Sequence, residues 1–425
     1  MSAEIETTVE GQDVVARSRA SEMFRALSHR NYRLFWFGAL LSNVGTWMQT
    51  VAQGWLVLKL TDSPFLLGLD GFMASAPGLL LTLIGGVFAD LIDRKRLLIY
   101  TQIGAGLSAL VLAALVMTGV VHWWMILILS FFTGCCMALA SPSFQAITID
   151  LVGREDLANA IALNSAQFQL SRVAGPTLAG LAMGAVGLAG CFLLNGLSYI
   201  AVIVALMMVN FTAQSGKAGH SVKTKREFWE ELTEGFQYVR SRPRVSMLLS
   251  ISALTSLCGA PYLSMMPLFA RNVLGLGETG LALMMGTAGA GALGGALLLV
   301  FLGDFRRKGW VVIGGAFVYS LCLMAFAFST RLALSLVLLF CVGFSITSCV
   351  ALINTLLQQL VTDQMRGRVL SMFVLSFLGT IPFGSLIAGA SADRFGAPVT
   401  LATGGLIIFI FITTLAISNK RLRQL

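Results

Sequence analysis

Long runs of apolar residues, separated by short polar turns, repeat along almost the whole chain. Most runs hold about 20 residues or more, the length that a helix needs to cross a bilayer. They are continuously apolar, whereas the strands of a membrane barrel alternate in polarity and are about half as long, so the pattern predicts helices. We predict twelve spans, at 34–58, 65–89, 97–118, 123–150, 157–184, 189–211, 246–273, 280–302, 310–329, 332–358, 367–390 and 398–417.

The composition leads to the same class of protein. Hydrophobic residues make up 56% of the 425 residues, and charged residues make up only 12%. A soluble protein needs far more charge on its exterior, so the chain is predicted to be an all-α membrane protein. Attraction to anionic lipid explains the net charge of +9, and no nucleic-acid partner is expected.

The basic residues indicate how the bundle is oriented. With a cytoplasmic N-terminus, most of the 29 lysines and arginines fall in cytoplasmic segments, where positive loops are normally retained. We therefore predict a multi-pass protein of the cell inner (plasma) membrane with both termini cytoplasmic. The end of the bundle that carries the turn after span one is called the predicted outer end, and the opposite end the predicted inner end.

The chain divides into two related halves. A small-residue pattern in the first half recurs in the second: Leu151-Val152, Gly175-Pro176 and Gly180 correspond to Leu360-Val361, Gly384-Ser385 and Gly389. A basic, polar stretch separates the halves and contains a predicted amphipathic helix. The predicted units are a tail (1–33), a six-helix bundle (34–211), a linker (212–245), a second six-helix bundle (246–418) and a short tail (419–425).

The turn between spans two and three carries glycine, an acidic residue and a basic run at fixed spacing: Gly86, Ala89, Asp90, Arg94, Lys95 and Arg96. This pattern resembles the loop motif of the major facilitator superfamily, and the twelve-span plan extends the resemblance over essentially the whole chain. Segments 42–49, 172–176 and 366–371 further resemble the drug:proton antiporter-like branch that includes enterobactin and macrolide exporters. The resemblance implies the major facilitator fold, with twelve transmembrane helices in two pseudosymmetric six-helix bundles and a cargo site between them.

A conformational latch is expected at the predicted inner end. Asp90, with Gly86 in the same motif, is expected to face the start of span eleven, where a helix N-terminus attracts negative charge. The resemblance implies that Arg94 pairs with Asp150 at the end of span four. The alternative is that this turn is only a positive segment that sets the topology.

Two ionisable side chains are predicted to be embedded in the membrane, Asp70 in span two and Arg172 in span five. Such charges are costly and normally face a partner or a water-filled cavity. We predict that Asp70 and Arg172 neutralise each other and that protonation of Asp70 releases the pair. The alternatives are a static ion pair and an Asp70 that stays hydrated near the surface.

A polar stripe on span one is the strongest candidate for cargo contact, because polar side chains avoid lipid. Helix packing is the alternative for each of its members. The candidate cargo residues are Asn43, Thr46, Gln49, Thr50 and Gln53, with Phe131 in span four, Tyr262 and Met265 in span seven and Ser345 in span ten. Gly175, Pro176 and Gly180 resemble the antiporter motif of exporters and predict a kinked packing seam.

The mostly apolar lining favours bulky amphipathic cargo, a drug or a siderophore-like molecule, over sugars or ions. The glycine run of span eight lacks the Lys-Ser/Thr of a nucleotide loop, and the seven cysteines lack metal-ligand spacing, so no enzyme activity, cofactor or metal is expected. The sequence predicts a monomeric secondary exporter of small organic molecules that is driven by proton antiport. An importer of a small metabolite, or a membrane sensor or assembly protein that does not transport, is the alternative.

Overall fold

The computed structural model describes residues 24–91, 93–209, 225–303, 305 and 307–418. A 3-10 turn at Arg25–Ser28 precedes the helices of the first half. These helices are α1 (Arg30–Thr61), α2 (Pro64–Leu91), α3 (Arg94–Met117), α4 (Trp123–Val152) and α5 (Leu157–Met208). The turn after α1 is tight because Asp62, with φ 51°, takes the left-handed conformation that ends the helix.

The second half begins after a 17-residue helix, α6 (Lys225–Ser241). It contains α7 (Pro243–Leu254), α8 (Tyr262–Leu268), α9 (Glu278–Leu302), α10 (Lys308–Ala327), α11 (Leu332–Leu360), α12 (Asp363–Leu378), α13 (Ile381–Phe395) and α14 (Ala397–Ser418). Two π-helical segments, Thr255–Gly259 and Phe269–Val273, flank α8, so the span that contains α7 and α8 is wound unevenly. Such π segments are frequent at functional sites.

Nine helical stretches within the described ranges are long and apolar enough to cross a membrane, fewer than the twelve predicted spans. One of the nine, α5, has 52 residues and bends at Gly187, whose φ of 71° suits a residue without a Cβ, so α5 contains two predicted spans. The 32-residue α1 is not among the nine, because polar residues interrupt its apolar positions. Neither is the 28-residue α2.

Two seams of small residues join the halves, α2 against α13 and α5 against α9. A Cβ added at Gly68 of α2 would lie 2.7 Å from the Cα of Gly389 in α13, so the two backbones touch there. In the other seam, a Cβ at Gly289 of α9 would lie 2.9 Å from the carbonyl carbon of Arg172. Close backbone approach of this kind holds helices together in lipid, where apolar side chains gain nothing by leaving the tails.

We predict that Gly68→Ala lowers the free energy of unfolding by about 1–3 kcal/mol, because the new methyl group overpacks the seam with Gly389. Gly78→Ala, on the same helix, is the matched control, since no atom of another described helix lies within 4 Å of a Cβ added there. Thermal unfolding of the purified protein in detergent measures both. Equal midpoints for the two variants would contradict close packing at this seam.

Candidate functional site

Asp70 of α2 is 8% exposed and lies within the first half. Gln53 of α1 donates its amide Nε2 to both carboxylate oxygens, at 3.0 and 2.9 Å. Ser130 of α4 lies with its hydroxyl 2.5 Å from Oδ1. Two neighbouring helices, α1 and α4, therefore supply the hydrogen bonds of one buried carboxyl group, as a charge in a site without bulk water requires.

The Ser130 hydroxyl has two oxygen neighbours but only one hydrogen to donate. Its Oγ lies 2.5 Å from Asp70 Oδ1 and 2.9 Å from the main-chain oxygen of Ile126. When Asp70 is ionised, Ser130 donates to the carboxylate. When Asp70 is protonated, the carboxyl donates to Ser130, which in turn donates to Ile126. The same positions of the heavy atoms thus fit Asp70 with or without its proton.

An oriented chain of amides extends this network to the far end of α5. Asn195 donates to Gln49 Oε1 at 2.6 Å, and Gln49 donates to Gln53 Oε1 at 3.3 Å. Gln53 then donates to Asp70, so every amide in the chain donates toward the carboxyl group. Hydrogen bonds aligned in this way polarise one another in a site of low dielectric. The charge of Asp70 is therefore linked to α1, α4 and the second span of α5.

Much of the predicted polar stripe of span one faces this interior. Thr46 lies with its hydroxyl 3.3 Å from the Tyr199 hydroxyl of α5 and donates to the Ser42 carbonyl. Asn43 is half-buried, and Thr50 is exposed and donates to its own helix. Gln49 and Gln53 thus bind other helices of the first half in this conformation.

Arg172 does not meet Asp70, so the predicted neutralising pair is not formed among the described residues. The Arg172 guanidinium donates to the Tyr262 hydroxyl of α8 at 3.3 Å and lies 5.7 Å from the ring centre of Trp47. The physical reason is the orientation of each helix about its own axis. Gln53 and Ser130 hold Asp70 inside the first half, whereas the Arg172 side chain points to the second half.

The other predicted cargo residues lie apart from one another. Met265 is buried within α8, and Phe131 is exposed on α4. Ser345 of α11 lines a mostly apolar cavity of about 540 Å³ between α9, α10 and α11. This cavity lies within the second half, and its lining includes no residue of the first half.

The predicted packing motif of α5 contacts helices on two sides. A Cβ at Gly175 would lie within 3 Å of the main-chain oxygen of Val44 in α1. A Cβ at Gly180 would lie 2.8 Å from the Cβ of Ala282 in α9. Pro176, between these glycines, is buried within the helix. The motif therefore packs α5 both inside its own half and across the seam.

At the predicted inner end, Arg94 Nη1 lies 3.4 Å from Asp150 Oδ2, so this ion pair is formed. The contacts of Gly86 and Asp90 lie outside the described part of the chain, and their latch role stays a prediction. Within the described ranges, no cluster of histidine, cysteine and acidic residues has the arrangement needed for a metal ion.

A set of polar contacts at the predicted outer end was not predicted from the sequence. Trp55 Nε1 of α1 donates to Glu278 Oε1 of α9 at 3.0 Å. Arg271 donates to the Leu58 carbonyl at 3.2 Å and lies 3.3 Å from an Asp62 carboxylate oxygen. All of these contacts join the first half to the second. The only sequence signal was the scarcity of basic residues at this end, which makes Arg271 stand out.

Two bundles that meet along glycine seams, with embedded charges beside the seams, define a secondary membrane transporter of the major facilitator type. The family described as "Transmembrane secretion effector", a major facilitator family, matches residues 21–425. The chain belongs to this family.

Named relatives and a solved structure agree with this assignment. The Staphyloferrin A transporter of Staphylococcus aureus is 23% identical, covering 92% of this chain and 97% of the relative. Macrolide efflux protein A of Streptococcus pyogenes is 22% identical, covering 92% of this chain and 98% of the relative. The crystal structure of a bacterial homologue of the human lysosomal transporter Spinster, in an inward-facing and occupied conformation, aligns with a TM-score of 0.71. It is 15% identical and covers 93% of this chain and 98% of that one, so it supports the fold.

We predict that Arg271→Ala weakens the closure of the predicted outer end, because it removes contacts to Leu58 and Asp62. A cysteine placed at Ser385, now buried in the α2–α13 seam, reports the opening through its rate of reaction with a hydrophilic maleimide. The seven native cysteines are replaced in the background for this measurement. We expect a rate several-fold higher in the Arg271→Ala background.

Lys59→Ala is the matched control for this experiment, since Lys59 lines the same small cavity as Arg271 and Glu278 but forms no hydrogen bond or ion pair with the second half among the described residues. Its maleimide reaction rate is expected to equal that of the parent. An unchanged rate in Arg271→Ala would show that these contacts do not hold the halves together.

Proposed function

We propose that this protein exports amphipathic organic molecules from the cytoplasm by alternating access, in exchange for protons that move inward. The names of two relatives, a siderophore transporter and a macrolide efflux protein, support export of bulky amphipathic cargo. The distribution of basic residues supports an inner-membrane location with both termini in the cytoplasm. The protein is proposed to act as a monomer in contact with membrane lipids.

The observation that carries the proton part of this proposal is the buried carboxyl group of Asp70. It is positioned by Gln53 and Ser130, and the single Ser130 hydrogen serves either protonation state. A site built in this way binds and releases a proton without unfolding its surroundings. A carboxyl group inside a membrane is also a common feature of proton pathways.

The position of Asp70 on α2 suggests how a proton changes the conformation. Gly68 and Gly71, on the same helical turns, pack against Ser385 of the α2–α13 seam. Asp70 itself points to α1 and α4 through Gln53 and Ser130. Helix α2 therefore has the proton site on one face and the seam on another. A proton that weakens the contacts of the charged carboxylate frees α2 to move at the seam.

The contacts at the predicted outer end support the assignment of this conformation as the one that is closed toward the outside. Trp55 with Glu278, and Arg271 with Asp62, join the halves at that end. In the proposed cycle, cargo enters from the cytoplasm while these contacts are formed. They then break to release cargo outside, where Asp70 takes up the proton that returns the protein to its starting state.

We predict that Asp70→Asn abolishes transport driven by a proton gradient, because asparagine keeps the size of the side chain but cannot exchange a proton. Uptake of a labelled macrolide and of staphyloferrin A into inside-out vesicles, with the interior acidified, is the measurement. We expect a loss of about tenfold or more relative to the parent. Exchange of labelled for unlabelled cargo without a gradient is expected to persist.

Asp363→Asn is the control for this variant, since its carboxylate lies at the exposed start of α12. It is expected to keep gradient-driven uptake. Uptake in Asp70→Asn equal to the parent would remove Asp70 from the mechanism. A parent protein that transports equally well without a gradient would remove proton antiport.

A further inference from the structure

A cluster of hydrogen-bond donors lies where α5 meets the second half. The guanidinium of Arg172 has five N–H groups, and one hydrogen bond from them, to Tyr262, is formed among the described residues. Tyr262 accepts this bond, which leaves its own hydroxyl hydrogen available. The hydroxyl of Tyr319 in α10 lies against Gly259, three residues before Tyr262, and is close enough to Tyr262 and Arg172 to interact with both electrostatically. It is fully buried, and no hydrogen-bond partner for it occurs in the described part of the protein.

Among the described residues, this cluster contains no negatively charged hydrogen-bond acceptor. Within the described ranges Arg172 forms no ion pair, and its second contact is the ring of Trp47. The other embedded charge, Asp70, is held by Gln53 and Ser130 instead. A half-buried cation at membrane depth that lacks a carboxylate is electrostatically incomplete, because ring and phenol contacts replace only part of its hydration.

The fold makes room for this cluster at the boundary between the halves. A Cβ at Gly259, in the π segment before α8, would clash with the ring of Tyr319, so glycine allows that ring to approach. The main chain at Arg172 forms part of the α5–α9 seam with Gly289. The Arg172 side chain is half-buried, so it is reachable from outside the packed core. Cargo sites of duplicated transporters lie at this kind of boundary.

We propose that Arg172, Tyr262 and Tyr319 bind an anionic oxygen group of the cargo, a carboxylate, while Trp47 packs against its apolar body. The planar guanidinium presents paired N–H groups that match the two oxygens of a carboxylate, and the phenol hydroxyls add neutral donors. The cargo is then an amphipathic organic anion. This inference rests on the proposed export function and names the chemical class that this function serves.

The test uses two probes with the same pyrene body and acyl chain, 1-pyrenebutyrate and its methyl ester, of which only the first carries a carboxylate. Binding to the purified full-length protein is followed by energy transfer from tryptophan to pyrene. We expect the carboxylate to bind at least about tenfold more tightly than the ester, as a charge-assisted hydrogen bond requires. Arg172→Gln is expected to remove this preference. Arg172→Lys is expected to keep part of it, because lysine retains the charge without the paired N–H geometry.

Two further variants separate binding from folding. Tyr319→Phe removes only the unpartnered hydroxyl and is expected to weaken carboxylate binding several-fold without lowering the unfolding temperature. Arg240→Gln, an exposed arginine of α6, is the charge control and is expected to bind like the parent. Thermal unfolding of every variant in detergent verifies that the protein remains folded.

Equal affinity for both probes, absence of saturable carboxylate binding, or a preference that persists in Arg172→Gln would each overturn the anion site. The export function is tested separately by the vesicle assay. Carboxylate preference without gradient-driven transport would leave the site in place and remove the proposed function. Gradient-driven transport without carboxylate preference would leave the proposed function in place and remove the anion site.

Discussion

The hydrocarbon core of a membrane offers no water to a charged side chain, so each embedded charge must be satisfied by the protein or by what the protein binds. Asp70 and Arg172 meet this constraint in different ways. Asp70 lies in a complete hydrogen-bond shell supplied by Gln53 and Ser130, with Gln49 and Asn195 behind them. Arg172 has a phenol and an aromatic ring, and no carboxylate among the described residues.

This difference separates two tasks within one protein. A complete shell that accommodates either protonation state suits a group that binds a proton, whereas an incomplete shell at the boundary between the halves suits a group that binds cargo. The two sites share α1, because Gln53 and Trp47 both belong to it. Helix α2 joins the first site to a glycine seam at Gly68, and α5 joins the second site to a seam at Gly289. Movement at either seam would therefore involve a helix that carries one of the two sites.

The sequence predicts the features that depend on composition and spacing along one helix. Apolar runs predict the all-α membrane fold, and charge inside those runs singles out Asp70 and Arg172. The partners of these charges were not predictable, because they depend on how each helix is rotated about its axis. The Trp55–Glu278 contact joins residues 223 positions apart, and no local sequence pattern predicts it. The π segments beside α8 were not predicted either.

The central claim is that the carboxyl group of Asp70 binds and releases a proton inside the first bundle while Ser130 reverses its hydrogen bond. Infrared difference spectroscopy between high and low pH, on the purified protein in lipid, observes the C=O stretch of protonated carboxyl groups directly. We expect a band that appears at low pH, is absent in Asp70→Asn and shifts in frequency in Ser130→Ala. An identical band in Asp70→Asn, or no such band in the parent, would contradict it.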